Sequence, residues 1–275
     1  MNILDQIVLE KKNLIKYLKQ KKLHSRKIPK KKSLFKKSIL DEIKKQKNAL
    51  IIEFKRFSPS VKNFNKIKSI QDTIEIYDKS KCCCISILTD KNFGGSLNDI
   101  SIAKNLTNKP IIRKDFIIDK TQILESKLYG ADAILLIAKI LTRKQIEDLY
   151  QFANELNLDV LIEIESIHEI SKIKNIKSSL IGINNRNLKE QKINIDKSIN
   201  LSNLIKNKNF IVSESGIDIK NIKNSLIGIN NRNLKEQKIN VDKSINLSNL
   251  IKNKNFIVSE SGIDIKNIKK IKDKT

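Results

Sequence analysis

Short apolar runs recur along most of the chain, and polar segments with helix-like spacing separate them. Short runs rich in isoleucine and valine are typical of buried strands. Strands that alternate with helical segments indicate a parallel sheet built from βα units. The predicted strands begin at Ala49, Cys84, Pro110, Ala133, Val160, Leu180, Phe210, Leu226 and Phe256.

The N-terminal region has a different pattern, because its apolar residues follow near-helical spacing. Residues 3–22 are predicted to form an amphipathic helix with a basic outer face, and residues 38–46 a second helix. Seven different βα units then follow in series, which favours a (β/α) barrel over an open sheet. A dinucleotide-binding fold is disfavoured, since no glycine-rich phosphate motif follows the first predicted strand.

One segment of the sequence, LIGINNRNLKEQKIN, occurs twice, from Leu180 and again from Leu226. The surrounding residues repeat at the same offset of 46 positions with few differences. Two nearly identical copies indicate a single duplication rather than a solenoid, which needs several diverged repeats. The tetrapeptide KNIK, which begins at Lys174, Lys220 and Lys266, marks the expected ends of the copies.

Composition is that of a globular protein, and we expect a cytoplasmic location. The chain has 275 residues, 39% of them hydrophobic, and a formal net charge of +25. Such a charge is typical of proteins that bind nucleic acid. Lysine is, however, spread evenly among Ile and Asn, as codon bias would produce, so no nucleic-acid partner is predicted. The adjacent cysteines 82–84 fit neither a metal site nor a disulfide framework. No apolar run approaches the roughly 18 residues of a membrane span, so no membrane partner is predicted.

Polar residues with acid–base chemistry stand at the ends of many apolar runs. Because the carboxyl ends of barrel strands lie at one rim, these side chains are expected to converge there. Burial and mutual charge can then shift their pKa values toward neutrality, as acid–base catalysis requires. A rim of ion pairs without chemistry is the alternative, and the number of such strand ends favours a site. The residues are Glu53, Lys55, Lys114, Glu163, Asn184 and Glu214.

Seven stretches around these residues resemble, in order, the indole-3-glycerol-phosphate synthase family of tryptophan biosynthesis. They are IIEFKRFSPS from Ile51, SILTDKNFGGS from Ser86, IIRKDFIID from Ile111, GADAILLI from Gly130, LIEIES from Leu161, GINNRNL from Gly182 and VSESGI from Val212. Seven ordered motifs are far more specific than one short pattern. The resemblance implies an α/β fold, a (β/α)8 TIM barrel with an N-terminal helical extension.

The resemblance also implies an activity, that of a carboxy-lyase. The expected reaction closes the ring of 1-(2-carboxyphenylamino)-1-deoxyribulose 5-phosphate with loss of carbon dioxide and water. By resemblance, Lys114 is the general acid on the substrate carbonyl oxygen, and Glu163 assists the later proton transfer and dehydration. Lys55, held by Glu53, is a second proton donor or a carboxylate contact. No metal or organic cofactor is implied.

Further residues are expected to bind this small phosphorylated substrate. Asn184, counted with the catalytic residues, and Arg186 match positions that orient the carboxylate-bearing and hydroxyl parts of the substrate. Phe93 and Phe116 match the apolar wall around the aryl ring. The expected contacts to the phosphate or polyol are Ser58, Ser215 and Gly216, with Glu214 beside them.

In its C-terminal quarter the chain departs from the family pattern. An eighth βα unit, with a phosphate-binding Gly-Ser turn, is expected there, but a second copy of units six and seven takes its place. The expected domains are a helical extension (1–48), barrel units one to seven (49–223) and the second copy (224–275). Either the second LIGIN run fills the eighth strand position, or one copy packs poorly and the first serves the site. The alternates in the second copy are Asn230, Arg232, Glu260 and Ser261.

The sequence therefore predicts an indole-3-glycerol-phosphate synthase with an incomplete or rearranged C-terminal part. An inactive relic of this enzyme is the first alternative, because the eighth unit is missing. A basic nucleic-acid-binding protein is a weaker alternative, since no basic–aromatic motif supports it. The chain is also compatible with a fragment of a bifunctional protein, fused to phosphoribosylanthranilate isomerase.

Overall fold

The computed structural model describes residues 3–20, 27–45, 49–56, 69–176, 180–184, 201 and 204, and the backbone of 210–214, 225–230, 232–233, 238–239 and 256–260. Its helices are α1 (Ile3–Gln20), α2 (Phe35–Lys44), α3 (Ile70–Asp78), α4 (Asn98–Leu106), α5 (Lys120–Leu128), α6 (Arg143–Glu155) and α7 (Ile167–Ile173). Its strands are β1 (Ile51–Phe54), β2 (Cys84–Leu88), β3 (Ile111–Lys114), β4 (Ala133–Ile137), β5 (Asp159–Ile164), β6 (Leu180–Asn184), β7 (Phe210–Glu214), β8 (Ser225–Asn230), β9 (Arg232–Asn233), β10 (Lys238–Ile239) and β11 (Phe256–Glu260). Every predicted apolar run overlaps one of these strands, and β5 and β8 begin one residue before the predicted run.

The long strands close into a single parallel barrel, which confirms the predicted fold class. Their order around the barrel is β1-β11-β8-β7-β6-β5-β4-β3-β2, and β1 pairs with β2 to complete the circle. The strands that are described with their side chains are buried almost throughout, as expected for parallel strands with helices packed on them. The two short strands β9 and β10 form a separate antiparallel pair.

Both apolar runs of the second copy contribute strands to this barrel. Strand β8 pairs with β7, where Ser213 lies opposite Ile227. Strand β11 pairs with β8 and also with β1, where Ile52 lies opposite Ser259. Among the described residues the barrel therefore has nine strands, one more than the eight that the resemblance implies. The boundaries of the three predicted domains stay a prediction.

Alternate residues of the strands point into the barrel and pack its lower part with apolar side chains. One buried cluster joins every second residue of β1 to β6 to the N-terminal helix α2. Its strand members are Ile51, Cys84, Ile112, Ala133, Leu135, Leu161 and Leu180. Successive residues of a strand face opposite sides, so the residue two positions further toward the carboxyl end of each strand also points into the barrel. Those positions carry the polar side chains of the site.

The opposite, amino-terminal end of the barrel is closed by α2. Phe35 and Ile39 are fully buried there against the inward-facing strand residues. The carboxylate of Asp159, at the start of β5, accepts hydrogen bonds from the Ser33 hydroxyl (2.5 Å) and the Lys36 amide (2.9 Å). These contacts explain why α2 begins at Phe35, three residues before the predicted start at 38: the ring of Phe35 is buried beneath the barrel.

Helix α1 packs on the outside of the barrel through a narrow buried stripe. Ile7, Lys11, Ile15 and Leu18 face inward, and Leu18 packs against Leu124 of α5. The predicted helix over residues 3–22 is thus described over 3–20. Among the described helices, none combines the length and the apolar character that crossing a bilayer requires.

Candidate active site

The inward positions at the carboxyl ends of the strands bring four of the predicted polar residues together in pairs. Glu53 of β1, Lys114 of β3, Glu163 of β5 and Asn184 of β6 all lie above the apolar layers of the barrel interior. Lys55 follows β1 two residues after Glu53 and shares its face. Since all these strands are parallel, their carboxyl ends form one rim, as predicted from the sequence.

Glu53 binds two lysines at once. Its Oε1 lies 2.8 Å from the Nζ of Lys55, and its Oε2 lies 2.9 Å from the Nζ of Lys114. Strand β2 separates β1 from β3, so the contact with Lys114 spans an intervening strand and is made inside the barrel. The sequence predicted the pairing with Lys55 but not the one with Lys114.

Electrostatics keep Glu53 ionised. Its side chain is buried, and burial alone would raise the pKa of the carboxyl. The ammonium groups of Lys114 and Lys55 outweigh this effect and hold the pKa of Glu53 well below its usual range. At neutral pH the residue is therefore a carboxylate that holds two ammonium groups in place.

The second pair of the rim joins neighbouring strands. The amide Nδ2 of Asn184 donates a 2.8 Å hydrogen bond to Oε1 of Glu163. Glu163 lies opposite Gly182 in the strand register, so Asn184 is two residues further along and on the same face. With only 9% of Glu163 exposed, this neutral donor fixes the direction of a carboxylate that is almost removed from water.

Two aromatic rings lie on the segments that follow β2 and β3, at the same end of the barrel as the polar residues. The rings of Phe93 and Phe116 are stacked, with centroids 6.3 Å apart and an angle of 23° between their planes. Both residues are half-buried. The pair forms a flat apolar surface, which suits contact with an aryl ring.

A buried ionic cluster, absent from the sequence-based prediction, supports these two loops. The Nζ of Lys11 in α1 lies 2.8 Å from Oδ2 of Asp90 and 2.6 Å from Oδ1 of Asp115. Arg113 contacts the other oxygen of Asp115 at 2.8 Å, and the Thr89 hydroxyl donates to it at 2.6 Å. Burial would raise the pKa of Asp115, but Arg113 and Lys11 hold it well below its usual range.

A second missed contact joins the loops after β1 and β2. The guanidinium of Arg56 forms an ion pair with Asp99, in which Nη2 donates to Oδ1 at 2.8 Å, and Nη1 donates to the carbonyl of Gly94 at 3.2 Å. In the same turn, a Cβ on Gly95 would lie 2.2 Å from the carbonyl oxygen of Leu88, so a side chain there does not fit. The FGGS segment is thus fixed closely to the end of β2.

Several predicted site residues lie outside the described residues or are described by their backbone alone. Outside are Ser58, Arg186, Ser215, Gly216 and Ser261. The backbone positions of Glu214, Asn230 and Glu260 are at the ends of barrel strands, where Asn184 lies opposite Glu214 and Asn230 opposite Glu260. Arg232 is in β9, whose described partner is β10 rather than a barrel strand. Within the described part of the chain, no group of three or more His, Cys, Asp and Glu residues is arranged to hold a metal ion.

Comparison with known proteins identifies the family of this chain. The family model described as "Indole-3-glycerol phosphate synthase" matches residues 4–222 and again residues 218–275. The chain belongs to this family. The second match falls on the second copy of the repeated segment, so each copy is similar to the synthase family.

Curated relatives carry the same family name. The indole-3-glycerol phosphate synthase of Aquifex aeolicus is 39% identical over 171 residues, which are 61% of this chain and 66% of that protein. That of Bacteroides thetaiotaomicron is 44% identical over 171 residues, 62% of this chain and 65% of that protein. That of Staphylococcus aureus (strain USA300) is 39% identical over 220 residues, 79% and 84% of the two chains. The chain thus spans slightly less than two thirds of the first two synthases.

Solved structures show a likeness in fold. Tryptophan synthase subunit alpha from Legionella pneumophila aligns with a TM-score of 0.54 at 11% identity, covering 83% of this chain and 87% of that one. The 3-hexulose-6-phosphate synthase of Salmonella typhimurium aligns with a TM-score of 0.52 at 13% identity, covering 77% and 88%. At such low identities the likeness concerns the fold alone.

Proposed function

We propose that this chain closes the indole ring of 1-(2-carboxyphenylamino)-1-deoxyribulose 5-phosphate, in tryptophan biosynthesis. The observation that carries the proposal is the arrangement of the rim. A carboxylate holding two lysines, a second carboxylate held by an amide, and a pair of stacked rings surround one end of the barrel. Membership of the synthase family supports the choice of this substrate.

The first chemical step needs an acid. In the proposed mechanism Lys114 donates a proton to the substrate carbonyl oxygen, which makes the carbonyl carbon electrophilic. The aryl carbon that carries the carboxylate attacks this carbon, and the new carbon–carbon bond closes the ring. Loss of carbon dioxide then returns the bonding electrons to the aromatic ring. Glu53 supports the step by holding the Lys114 ammonium beside the reacting carbonyl.

Dehydration completes the reaction and needs both an acid and a base. The hydroxyl formed from the carbonyl leaves as water after protonation, and a proton leaves the neighbouring carbon to give the indole double bond. We assign the proton transfer to Glu163, whose direction Asn184 fixes. Lys55 is assigned as a second proton donor or a contact for the substrate carboxylate, and Glu53 holds it at 2.8 Å.

Substrate binding is divided between an apolar and an anionic side in this proposal. The stacked rings of Phe93 and Phe116 accept the aryl ring of the substrate. Arg186, Ser58 and the residues around Glu214, with their alternates in the second copy, are proposed for the polar and phosphate contacts. A cytoplasmic location, the lack of a nucleic-acid partner and fusion to phosphoribosylanthranilate isomerase stay predictions.

The experiment is steady-state turnover of the phosphorylated substrate, followed by the fluorescence of the indole product. We expect turnover by the wild-type chain and a loss of at least about 100-fold in kcat for Lys114→Met, since general acid catalysis contributes this much or more. Lys139→Met is the matched control, because Lys139 follows the next strand and pairs with Glu165 at 2.7 Å. A folded wild-type chain without turnover, or equal rates for the two variants, would contradict the proposal.

A further inference from the structure

Lys11 occupies an unusual place in α1, within the buried stripe of the helix. Its neighbours in that stripe are Ile7, Ile15 and Leu18, and the lysine itself is only 6% exposed. An isolated ammonium group is very unfavourable in such surroundings unless it is paired. If residue 11 only attached α1 to the barrel, an apolar side chain would stabilise that contact as well or better. The buried charge therefore indicates that Lys11 holds specific partners in a defined geometry.

The Lys11 ammonium lies between the two loops that carry the aromatic pair. One partner, Asp90, caps the turn Lys91–Phe93: its Oδ1 accepts from the Asn92 amide at 2.8 Å, and its carbonyl accepts from the Phe93 amide at 3.0 Å. The other partner, Asp115, accepts from the Phe116 amide at 2.7 Å through Oδ1, the oxygen that also binds Lys11. Each ring is thus connected to Lys11 through one aspartate.

A neighbouring residue of α1 supports the same turn. Glu10 accepts a hydrogen bond from the side-chain amide of Asn92 at 3.2 Å and pairs with Lys91 at 3.1 Å. Two successive residues of α1 therefore hold the turn after β2. Helix α1 reaches the mouth of the barrel as well as packing against α5.

We propose that Lys11 is a positioning residue for substrate binding, which sets the distance and angle between the rings of Phe93 and Phe116 by holding Asp90 and Asp115 together. The helical extension is then a working part of the aryl-binding side of the site. This inference rests on the proposed function, because the rings are there assigned to the substrate aryl group.

Lys11→Met tests the proposal, with Lys12→Met as its matched control on the same helix. Lys12 is exposed and adjacent, so it reports the effect of losing one lysine from α1. Misaligned rings should weaken the binding of the substrate and of the transition state to the same extent. We therefore expect KM to rise about tenfold with kcat changed less than about threefold. Lys11→Arg, which keeps the charge, is expected to restore most of the affinity. An unchanged KM in Lys11→Met, or the same rise in Lys12→Met, would overturn the proposal.

A second readout is independent of catalysis. The chain has no tryptophan, so Phe93→Trp introduces a single fluorescent reporter at the aromatic pair. In this background, Lys11→Met is expected to increase acrylamide quenching of the indole about twofold, and Lys12→Met to leave it unchanged. Increased quenching without turnover by the wild-type chain would refute the proposed reaction and leave the positioning role intact. Unchanged quenching would refute the positioning role.

Lys11→Met can fail to fold, because it leaves Asp90 buried beside a lost cation. The double variant Lys11→Met, Asp90→Asn removes that charge and keeps the Oδ1 acceptor for the Asn92 amide. The connection that Lys11 makes between Asp90 and Asp115 is still broken in the double variant, so the same rise in KM and in quenching is expected. Wild-type values for both quantities in the double variant would show that Lys11 does not position the rings.

Discussion

Replacing Glu53 with glutamine tests the electrostatic core of the site. The variant keeps the shape of the side chain but removes the charge that lies within 3 Å of two ammonium groups. Removing one partner of a buried ion pair costs about 3 to 5 kcal/mol of folding free energy. The side chains of Lys55 and Lys114 keep 13% and 21% of their exposure, so water partly stabilises them, and we expect the lower value, about 3 kcal/mol.

The pH dependence of this loss has a definite sign. The pKa of Glu53 in the folded chain lies below the value of about 4.3 expected for the unfolded chain. The carboxylate therefore stabilises the fold fully above that pH, and the stabilisation declines as the pH falls below it. The difference in unfolding free energy between the wild type and Glu53→Gln should be constant between about pH 6 and 8 and shrink below about pH 4.

Urea unfolding at a series of pH values measures this difference. Glu147→Gln is the control, because Glu147 pairs with Arg143 at 3.1 Å on the exposed face of α6 and should contribute less than about 0.5 kcal/mol. At roughly 2 to 4 °C per kcal/mol, the melting temperature of Glu53→Gln should also fall by about 6 to 12 °C. A loss at pH 7 equal to that of the control, or one that does not shrink in acid, would refute the reasoning.

Three further predictions concern single contacts. Asn184→Asp places a like charge where the amide donates to Glu163, so the acid limb of the kcat/KM profile should move to higher pH; an unmoved limb would show that the two groups do not interact. Asp119→Ala removes the capping box of α5 and should cost about 1 kcal/mol in urea unfolding, whereas no loss would mean that the cap is unimportant. Gly95→Ala should cost about 3 kcal/mol because its Cβ meets the Leu88 carbonyl at 2.2 Å, and a thermal shift below about 2 °C would contradict the close approach.

The strands were predictable because each apolar run is short and buried on both sides. The runs at Cys84 and Ala133 correspond to β2 and β4 residue for residue, and the run at Val160 begins one residue late. The start of α2 was not predictable in the same way. Phe35 lies in a lysine-rich stretch, and its burial depends on the barrel end that it covers rather than on its neighbours in sequence.

Contacts of the site between residues close in sequence could be predicted, whereas contacts between distant residues could not. The pairing of Glu53 with Lys55 follows from strand periodicity, because residues two apart share a face. The pairing of Glu53 with Lys114 requires a closed barrel, in which inward side chains reach across an intervening strand. Lys11 left one signal, a charged residue four positions from both Ile7 and Ile15 within an apolar stripe. The prediction of an amphipathic helix with a basic outer face did not place this lysine among the buried residues.

The two rim glutamates have different described partners, which supports different roles for them in the proposed reaction. Glu53 is held ionised by two ammonium groups, and its pKa is far below neutrality, so it keeps its charge near pH 7. Its carboxylate holds the ammonium groups of Lys55 and Lys114 in place. Glu163 instead accepts a 2.8 Å hydrogen bond from the neutral amide of Asn184, which orients its carboxylate. In the proposed mechanism, Glu53 therefore holds the acid for ring closure in place, and the proton transfer of dehydration is assigned to Glu163.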